Sequence, residues 1–483
     1  MRLNSSTYKN IQDLKYHNEN TPTSIVHLGL GAFFKGHLAV YMNEYNNLNE
    51  DTWLIEAVSL KTNTSKKKMQ KQDNLYTVHL NGLKTSSHEL ISSVKNSLFL
   101  GEDRKHIMNL LVSENTKLIT LTITEKGYCY SPKLDGLDIN NSDIKHDFEY
   151  FSQAISSIGI LCFALQERKI MNFNGITIMS CDNLPSNGEL LKKVILDFAS
   201  KIDKNLKVWI ENNCAFPSTM VDRIVPSVTD ETLNKIENTL GLRDECGVIC
   251  EDYAQFVIED NFVNNIKPDL SKVGVLFVDN IQAYENMKLR ILNGTHSALA
   301  YIGQLLNKNT IYDAIGDVNI ELFINKMILN EIIPSLEQVE GINLEEYSKT
   351  IIMRYHNPNI VHKTIQISMD GSLKIPQRWL KTLRYLIENN KNFDCLVICL
   401  ASWMKFTSGL NLESLGVNVD DPKKDLYTKI WKNETSSIDI VKAYFSISDI
   451  FDNYFIRNNN LIEKVANSLE NINNLKNQIK EIK

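Results

Sequence analysis

Ser24-Ile25-Val26-His27-Leu28-Gly29-Leu30-Gly31-Ala32-Phe33-Phe34-Lys35-Gly36-His37 is the stretch that decides the fold. An apolar, β-branched run enters Gly29-Leu30-Gly31 and leaves toward residues that suit a helix, the strand–turn–helix order of a dinucleotide-binding unit. In such a turn the first glycine permits the tight bend. The second lets the backbone approach a pyrophosphate seated at a helix N-terminus. Phe34 stands where the third glycine of G-x-G-x-x-G is expected. On these residues alone the stretch is equally an ordinary strand-to-helix turn, because motifs this short recur by chance.

Working outward, WLIEAVSL (53–60), KLITLTIT (117–124) and GITIMSC (175–181) each hold four or more apolar or β-branched residues between turn signals, as buried parallel strands do. ELLKKVILDFASKI (189–202) spaces its apolar residues as a helix, and HKTIQISMDG (362–371) ends in a turn signal. From about Glu285 the period becomes mostly helical, through LRILNGTHSALAYIGQLL, VNIELFINKMILNEIIPSL, DCLVICLASWMKFTSG and the C-terminal LIEKVANSLENINNLKNQIKEIK. The expected architecture is therefore an α/β, Rossmann-type N-terminal domain over residues 1–284 and a mainly α-helical C-terminal domain over 285–483. No Pro/Gly/Ser linker separates them, so a large shared interface with a site in the crevice is expected.

The 483 residues carry 52 Lys+Arg against 58 Asp+Glu, a formal charge of −6, with 43% hydrophobic residues. That composition excludes wholesale disorder and a polybasic nucleic-acid binder, and points to a small-molecule partner. MRLNSSTYKNIQDLKYHNEN has no apolar block of signal-peptide length, and no run approaches the ~18 apolar residues of a membrane span. A soluble, cytoplasmic protein with neither membrane nor nucleic-acid partner is expected. The eight cysteines (129, 162, 181, 214, 246, 250, 395 and 399) form no C-x-x-C and no zinc-ligand spacing, so no metal site is assigned.

Other stretches carry chemistry. Lys288, Asn293 and His296 fall within an arc of about 140° on an ideal α-helix, so all three can face one cleft. A ketone reduction needs these types: a proton donor for the nascent alkoxide, an amide to polarise the carbonyl, and an imidazole to fix a neighbouring hydroxyl. The plain alternative is a helix break at Asn293-Gly294, a satisfied buried histidine and a surface lysine. Thr124-Glu125-Lys126-Gly127-Tyr128 ends an apolar strand, where open α/β sheets place ligands; Glu125 could relay a proton or simply cap the next turn. Ser180-Cys181-Asp182-Asn183 also follows a strand, Asn183 being a second candidate amide and Asp182 and Asn187 turn formers. Asn357-Pro358 opens a polar segment that concentrates His362, Gln366, Lys374 and Arg378. At the end of the second strand Ser59-Leu60-Lys61-Thr62-Asn63 lacks the acidic residue that accepts the ribose of NAD, Glu56 lies inside the strand, and Lys66, Lys67 and Lys68 follow.

Together these stretches resemble the polyol-specific long-chain dehydrogenase/reductase (mannitol dehydrogenase) family, with its G-x-G-x-F-x-x-x-H, T-E-K-G-Y, S-C-D-N and K-x4-N-x2-H motifs in order. Here they read Gly29, Gly31, Phe33 and His37; Thr124 to Tyr128; Ser180 to Asn183; and Lys288, Asn293 and His296. The resemblance covers almost the whole chain from about residue 24. It implies NAD as coenzyme, held along Val26, His27, Leu28, Gly29, Leu30, Gly31, Ala32 and Phe33, while the second-strand text leaves NADP open. It implies a metal-independent site in which Lys288 is the general acid/base, Asn183 and Asn293 polarise the carbonyl, His296 binds a substrate hydroxyl, Glu125 relays the proton, and Asp222 and Lys374 line the pocket. The D-G-S-x-K turn, with Gln366 where mannitol dehydrogenases have Arg, is similar to the branch acting on uronates, as are FPSTMVDRIVP and FVIEDNFVN. A small sugar acid is therefore the expected substrate. Arg378, Lys374, Arg354 and His362 are candidates for its carboxylate, Arg378 first. The motifs leave oligomeric state open, a monomer included. A catalytically silent nucleotide-binding protein on the same fold is the alternative from another class, and intact Lys288, Asn293 and His296 argue against it.

Overall fold

The computed structural model describes residues 1–8, 21, 23–409 and 419–482, which divide into two compact units, Met1–Gln282 and Ala283–Lys483.

The first unit is built on a five-stranded, wholly parallel sheet in the order Val94–Phe99, Leu54–Ser59, Thr23–Leu28, Leu118–Leu121, Thr177–Ser180. Counted along the chain this is 3-2-1-4-5, the doubly wound Rossmann order, with the direction of winding reversing beside Thr23–Leu28. An isolated parallel bridge from Thr177 to Ala215 marks the place of a sixth strand. The four expected strands are present. Val94–Phe99 was not legible because, as an edge strand with Lys95, Asn96 and Ser97 in it, it lacks the continuous apolar run of its neighbours.

Alternation of side chains places the first strand in two cores at once. Val26 and Leu28 join Val58, Ile119, Leu121 and the helix Ser157–Ile170 on one face. Ile25 joins Phe34, Ile55, Ala57 and Tyr76 on the other. The unit also holds two three-stranded sheets, one combining Val248–Glu251, Tyr76–Asn81 and Ser86–Ile91, the other Thr219–Asp222, Gln255–Glu259 and Leu276–Val278, and a two-stranded antiparallel pair, Tyr130–Ser131 with Gly136–Leu137.

The second unit is helical, as its period implies. Its central helix, Gly294–Leu305, is buried from Gly294 through Gln304 and packs on Asp394–Thr407 and Thr364–Ser368. Among its described residues, three segments depart from α geometry into π-helix: Lys288–Asn293, Met327–Ile332 and Pro376–Leu380. Among the described residues no helix is long and apolar enough to cross a membrane, and no group of three or more His, Cys, Asp or Glu could hold a metal ion.

Candidate active site

The turn after the first strand is shaped by its backbone. Gly29 has φ +115°, and a Cβ there would lie 1.9 Å from Thr122 O. Its N–H donates to Val58 O at 2.8 Å, while Thr122 N–H donates to Leu28 O at 2.9 Å, so the turn is clamped between both neighbouring strands. Gly31 is different: it is exposed, precedes the short helix Ala32–Gly36, and a Cβ there would meet nothing closer than Gly29 O at 4.0 Å. Packing within the chain therefore demands the first glycine and not the second. An open Gly31 fits close approach by a pyrophosphate, the use expected of it.

Of the eight residues expected along the coenzyme, Val26, His27 and Leu28 have fully buried side chains, leaving only their backbones to offer. His27 stacks on Phe34 with ring centroids 3.9 Å apart. Its Nδ1 bonds Thr120 Oγ1 at 2.7 Å and its Nε2 bonds Thr122 Oγ1 at 2.9 Å. Burial pushes its pKa down to about 3, so it is neutral. Phe34, the residue in place of the third glycine, thus fills the strand-to-helix contact against this imidazole. Leu30 is buried, whereas Ala32 and Phe33 are half-exposed.

Beyond the second strand, Ser59 Oγ donates to Thr62 O at 2.6 Å. Lys66 pairs with Glu102 at 3.0 Å and Asp103 at 2.6 Å, which raises its pKa. Lys68 instead lines a cleft of about 480 Å³ with Leu30, Lys35, Thr64 and Ser65. Glu56 is buried inside the strand, accepting from Thr23 and Asn96 at 3.0 and 2.9 Å.

Glu125 and Asn183 are both exposed and follow adjacent strands at their carboxyl ends. Asp182 ties them together. Its carboxylate accepts Ile123 N–H at 2.9 Å, Thr124 N–H at 3.0 Å and the Tyr128 hydroxyl at 2.7 Å, and burial raises its pKa. Expected only to form a turn, Asp182 instead fixes the Thr124-Glu125-Lys126-Gly127 turn, in which Thr124 takes φ +63°. Asn187 in turn holds Asp182 O at 2.9 Å and Thr219 O at 3.0 Å. Asp222 ends the strand Thr219–Asp222 and is buried.

In the second unit, Lys288 to Asn293 form one π-helical turn that runs into the α-helix from Gly294. The 140° arc expected from α geometry therefore does not apply. With i→i+5 bonding the turn is wider than an α turn, which brings positions 288 and 293 nearer to one face than α geometry does. Lys288, Asn293 and His296 are all buried, so Lys288 is no surface charge, and no break occurs at Gly294.

A π turn displaces carbonyls from their usual partners, and here four in succession receive side-chain donors. Thr295 Oγ1 donates to Ile291 O at 2.6 Å, and Tyr355 hydroxyl to Leu292 O at 2.7 Å. Arg378 Nη1 donates to Asn293 O at 3.1 Å, and Trp379 Nε1 to Gly294 O at 2.9 Å. Arg378 and Trp379 themselves sit on the π segment Pro376–Leu380. The same Nη1 reaches Ser297 Oγ at 2.7 Å, and burial lowers the Arg378 pKa to about 10.

His296 packs against Tyr355 at 5.1 Å and His362 at 4.6 Å between ring centroids. Burial first, then the positive field of His362, Arg378, Arg354 and Lys374, holds its pKa well below the usual value. Its Nε2 and His362 Nδ1 are both buried without a hydrogen-bond partner, so His296 is not a satisfied core histidine. Lys374 Nζ donates to Met369 O at 2.5 Å. Gln366 is exposed on the helix Thr364–Ser368.

Family models fit this chain along nearly its full length: the mannitol dehydrogenase Rossmann domain matches residues 23–272, and the mannitol dehydrogenase C-terminal domain matches residues 280–473. The chain belongs to the mannitol dehydrogenase family. D-mannonate oxidoreductase of Escherichia coli (strain K12) is 39% identical over 431 residues, covering 88% of each chain. Mannitol 2-dehydrogenase of Phaeosphaeria nodorum is 30% identical over 98% of this chain and 84% of its own. Among solved structures, Pseudomonas fluorescens mannitol 2-dehydrogenase, in a ternary complex with NAD and D-mannitol, superposes with a TM-score of 0.85 at 27% identity, covering 100% of this chain and 99% of that one. The chain is thus an oxidoreductase of the mannitol dehydrogenase family with a Rossmann domain followed by a mainly helical one.

Proposed function

We propose that the protein reduces the keto carbon of D-fructuronate to D-mannonate with NADH, reversibly, in hexuronate breakdown. The observation that carries the reading is the positive surround of His296, where Arg354, Lys374 and Arg378 gather and Arg378 bonds directly to the Lys288–Asn293 turn. That charge suits an anionic sugar acid better than a neutral polyol. Similarity to D-mannonate oxidoreductase and Gln366 in place of the polyol-pattern Arg support the same choice.

NADH, when bound, supplies the hydride, and the open backbone at Gly31 suits its pyrophosphate. Lys288 protonates the oxygen of the reduced carbon and takes that proton back in the reverse direction. The Asn183 and Asn293 amides hold this oxygen with preorganised donors, each worth ~10²–10³ in rate. Asn293 is fit for the task because its backbone is fixed by Arg378. Glu125, exposed at the end of its strand, passes the proton to solvent, and His296 holds a substrate hydroxyl.

The test is NADH oxidation with D-fructuronate, D-tagaturonate and D-fructose, repeated with NADPH. Highest kcat/KM with D-fructuronate is expected. Preference for D-tagaturonate would make the protein a tagaturonate reductase, and preference for fructose a mannitol 2-dehydrogenase-type enzyme. Binding of NADH with no turnover of any of the three would revive a silent nucleotide-binding protein.

A further inference from the structure

Around His296 the folded chain leaves two buried polar atoms unsatisfied, His296 Nε2 and His362 Nδ1. Unpaired buried polar groups are costly, and two of them on neighbouring rings call for a shared ligand. The rings meet edge to face with centroids 4.6 Å apart, close enough for one group to bond both. His362 is not adventitiously placed: its carbonyl accepts the Ile311 N–H at 2.9 Å, and the adjacent Lys363 bridges to Thr310.

The neighbours define the ligand's charge. His296, on Gly294–Leu305, is faced by Arg354 and Tyr355 from Leu344–Tyr355, His362 from the segment before Thr364, Lys374 from Gly371–Ile375 and Arg378 from Pro376–Leu380. None of these is acidic. Arg378, the first choice for a carboxylate on sequence, spends its Nη1 on Asn293 O and Ser297 Oγ, and Lys374 is drawn to Met369 O. Beside them, His296 Nε2 and His362 Nδ1 are buried atoms that the fold leaves without a hydrogen bond.

The geometry points to a carboxylate of the substrate seated between His296 Nε2 and His362 Nδ1, with a proton taken up by the pair as it binds. This rests on the sugar-acid reading of the site, and it gives the His296 Nε2 donor to the carboxylate in place of the substrate hydroxyl assigned to it above. A carboxylate only accepts hydrogen bonds, so His296 Nε2 and His362 Nδ1 must each carry the hydrogen of their ring, and the added proton goes to the opposite nitrogen of one of the two imidazoles. Within the folded chain both imidazoles are neutral: burial and Lys374 hold His362 down to about 4, and burial holds His296 lower than usual. An anion against them reverses the field and stabilises an imidazolium. The proton comes from solvent, no bond is broken, and the complex gains one positive charge on the protein.

The test is calorimetric titration of the full chain, saturated with NADH, with D-mannonate and separately with D-mannitol, in two buffers of different ionisation enthalpy. Net proton uptake with D-mannonate and none with D-mannitol is expected, and the D-mannonate Kd should rise by up to about tenfold per pH unit above pH 5. His362→Gln, which keeps a donor but cannot titrate, should flatten that pH dependence while the Kd for NADH stays unchanged. Tight D-mannonate binding without proton uptake would overturn the imidazole seat and leave the sugar-acid reading standing. Binding of D-mannitol but not D-mannonate would overturn both.

Discussion

At the Gly29 turn the main chain does the shaping, through one positive φ and hydrogen bonds to the strands on either side. At Lys288–Asn293 the main chain departs from its regular ladder, and side chains arriving from as far as 85 residues away hold it there. The first design asks for one residue type at one position. The second spreads its demand over Thr295, Tyr355, Arg378 and Trp379, so no single local motif announces it. The difference suits the tasks: a dinucleotide turn needs absence of side chain, whereas a proton donor needs a fixed side chain.

The largest effect separating the two regions should come from Lys288→Ala. Turnover is expected to fall by ~10³ or more, as for loss of a proton donor, while NADH quenching of intrinsic fluorescence persists. Near-normal turnover would remove Lys288 from the chemistry. Next comes a pair of glycine changes. Gly29→Ala should cost about 2 kcal/mol or more of stability, since the new Cβ meets Thr122 O at 1.9 Å with φ +115°. Gly31→Ala should change stability by no more than ~0.5 kcal/mol yet weaken NADH binding, because the space it fills is the ligand's. Equal stability losses at both positions would show that the second glycine also serves the fold.

Arg378→Met tests the side-chain scaffold. Loss of a charged donor to Asn293 O and Ser297 Oγ should lower kcat about 10–100-fold, with KM for a sugar acid changed much less. Arg378→Lys should recover little, since one ammonium cannot reproduce the fork. A rise in KM with kcat intact would instead make Arg378 the direct carboxylate ligand.

The sequence made the first region readable and only half of the second. Strand patterning gave four of the five parallel strands, and the glycine spacing located the turn, because these features are local in the chain. Lys288, Asn293 and His296 were also legible as a set. Their geometry was not: hydrophobic spacing follows α periodicity, and a single π turn leaves no mark on it. The partner of Asn293 O lies 85 residues on, in a stretch whose arginine reads more naturally as a ligand for an acid. Which face of the strand His27 takes is not written in the sequence: its ring is buried against Phe34, so only its backbone is left to line the coenzyme.

That buried ring supplies the smallest effect and the most direct test of the first region. His27 has its pKa held down at about 3 by burial, against ~6.5 when the chain is unfolded. Below pH 6.5 the unfolded state binds a proton that the folded state refuses, so this group costs stability progressively as pH falls from 6.5 toward 3. Buried carboxyls run the other way. Glu44 and Glu331 are raised to about 7 by burial, so the folded chain holds their protons more tightly and gains stability as pH falls through that range. The whole-protein curve therefore mixes both signs, and the difference between wild type and His27→Gln is the quantity to follow. Denaturant unfolding at pH 7, 6 and 5 should show wild type losing ground to the variant by up to about 1.4 kcal/mol per pH unit below 6.5. A constant difference would mean that the His27–Phe34 stack tolerates a charged imidazole, and that the strand-to-helix contact is looser than its third-glycine counterpart in the usual dinucleotide fold.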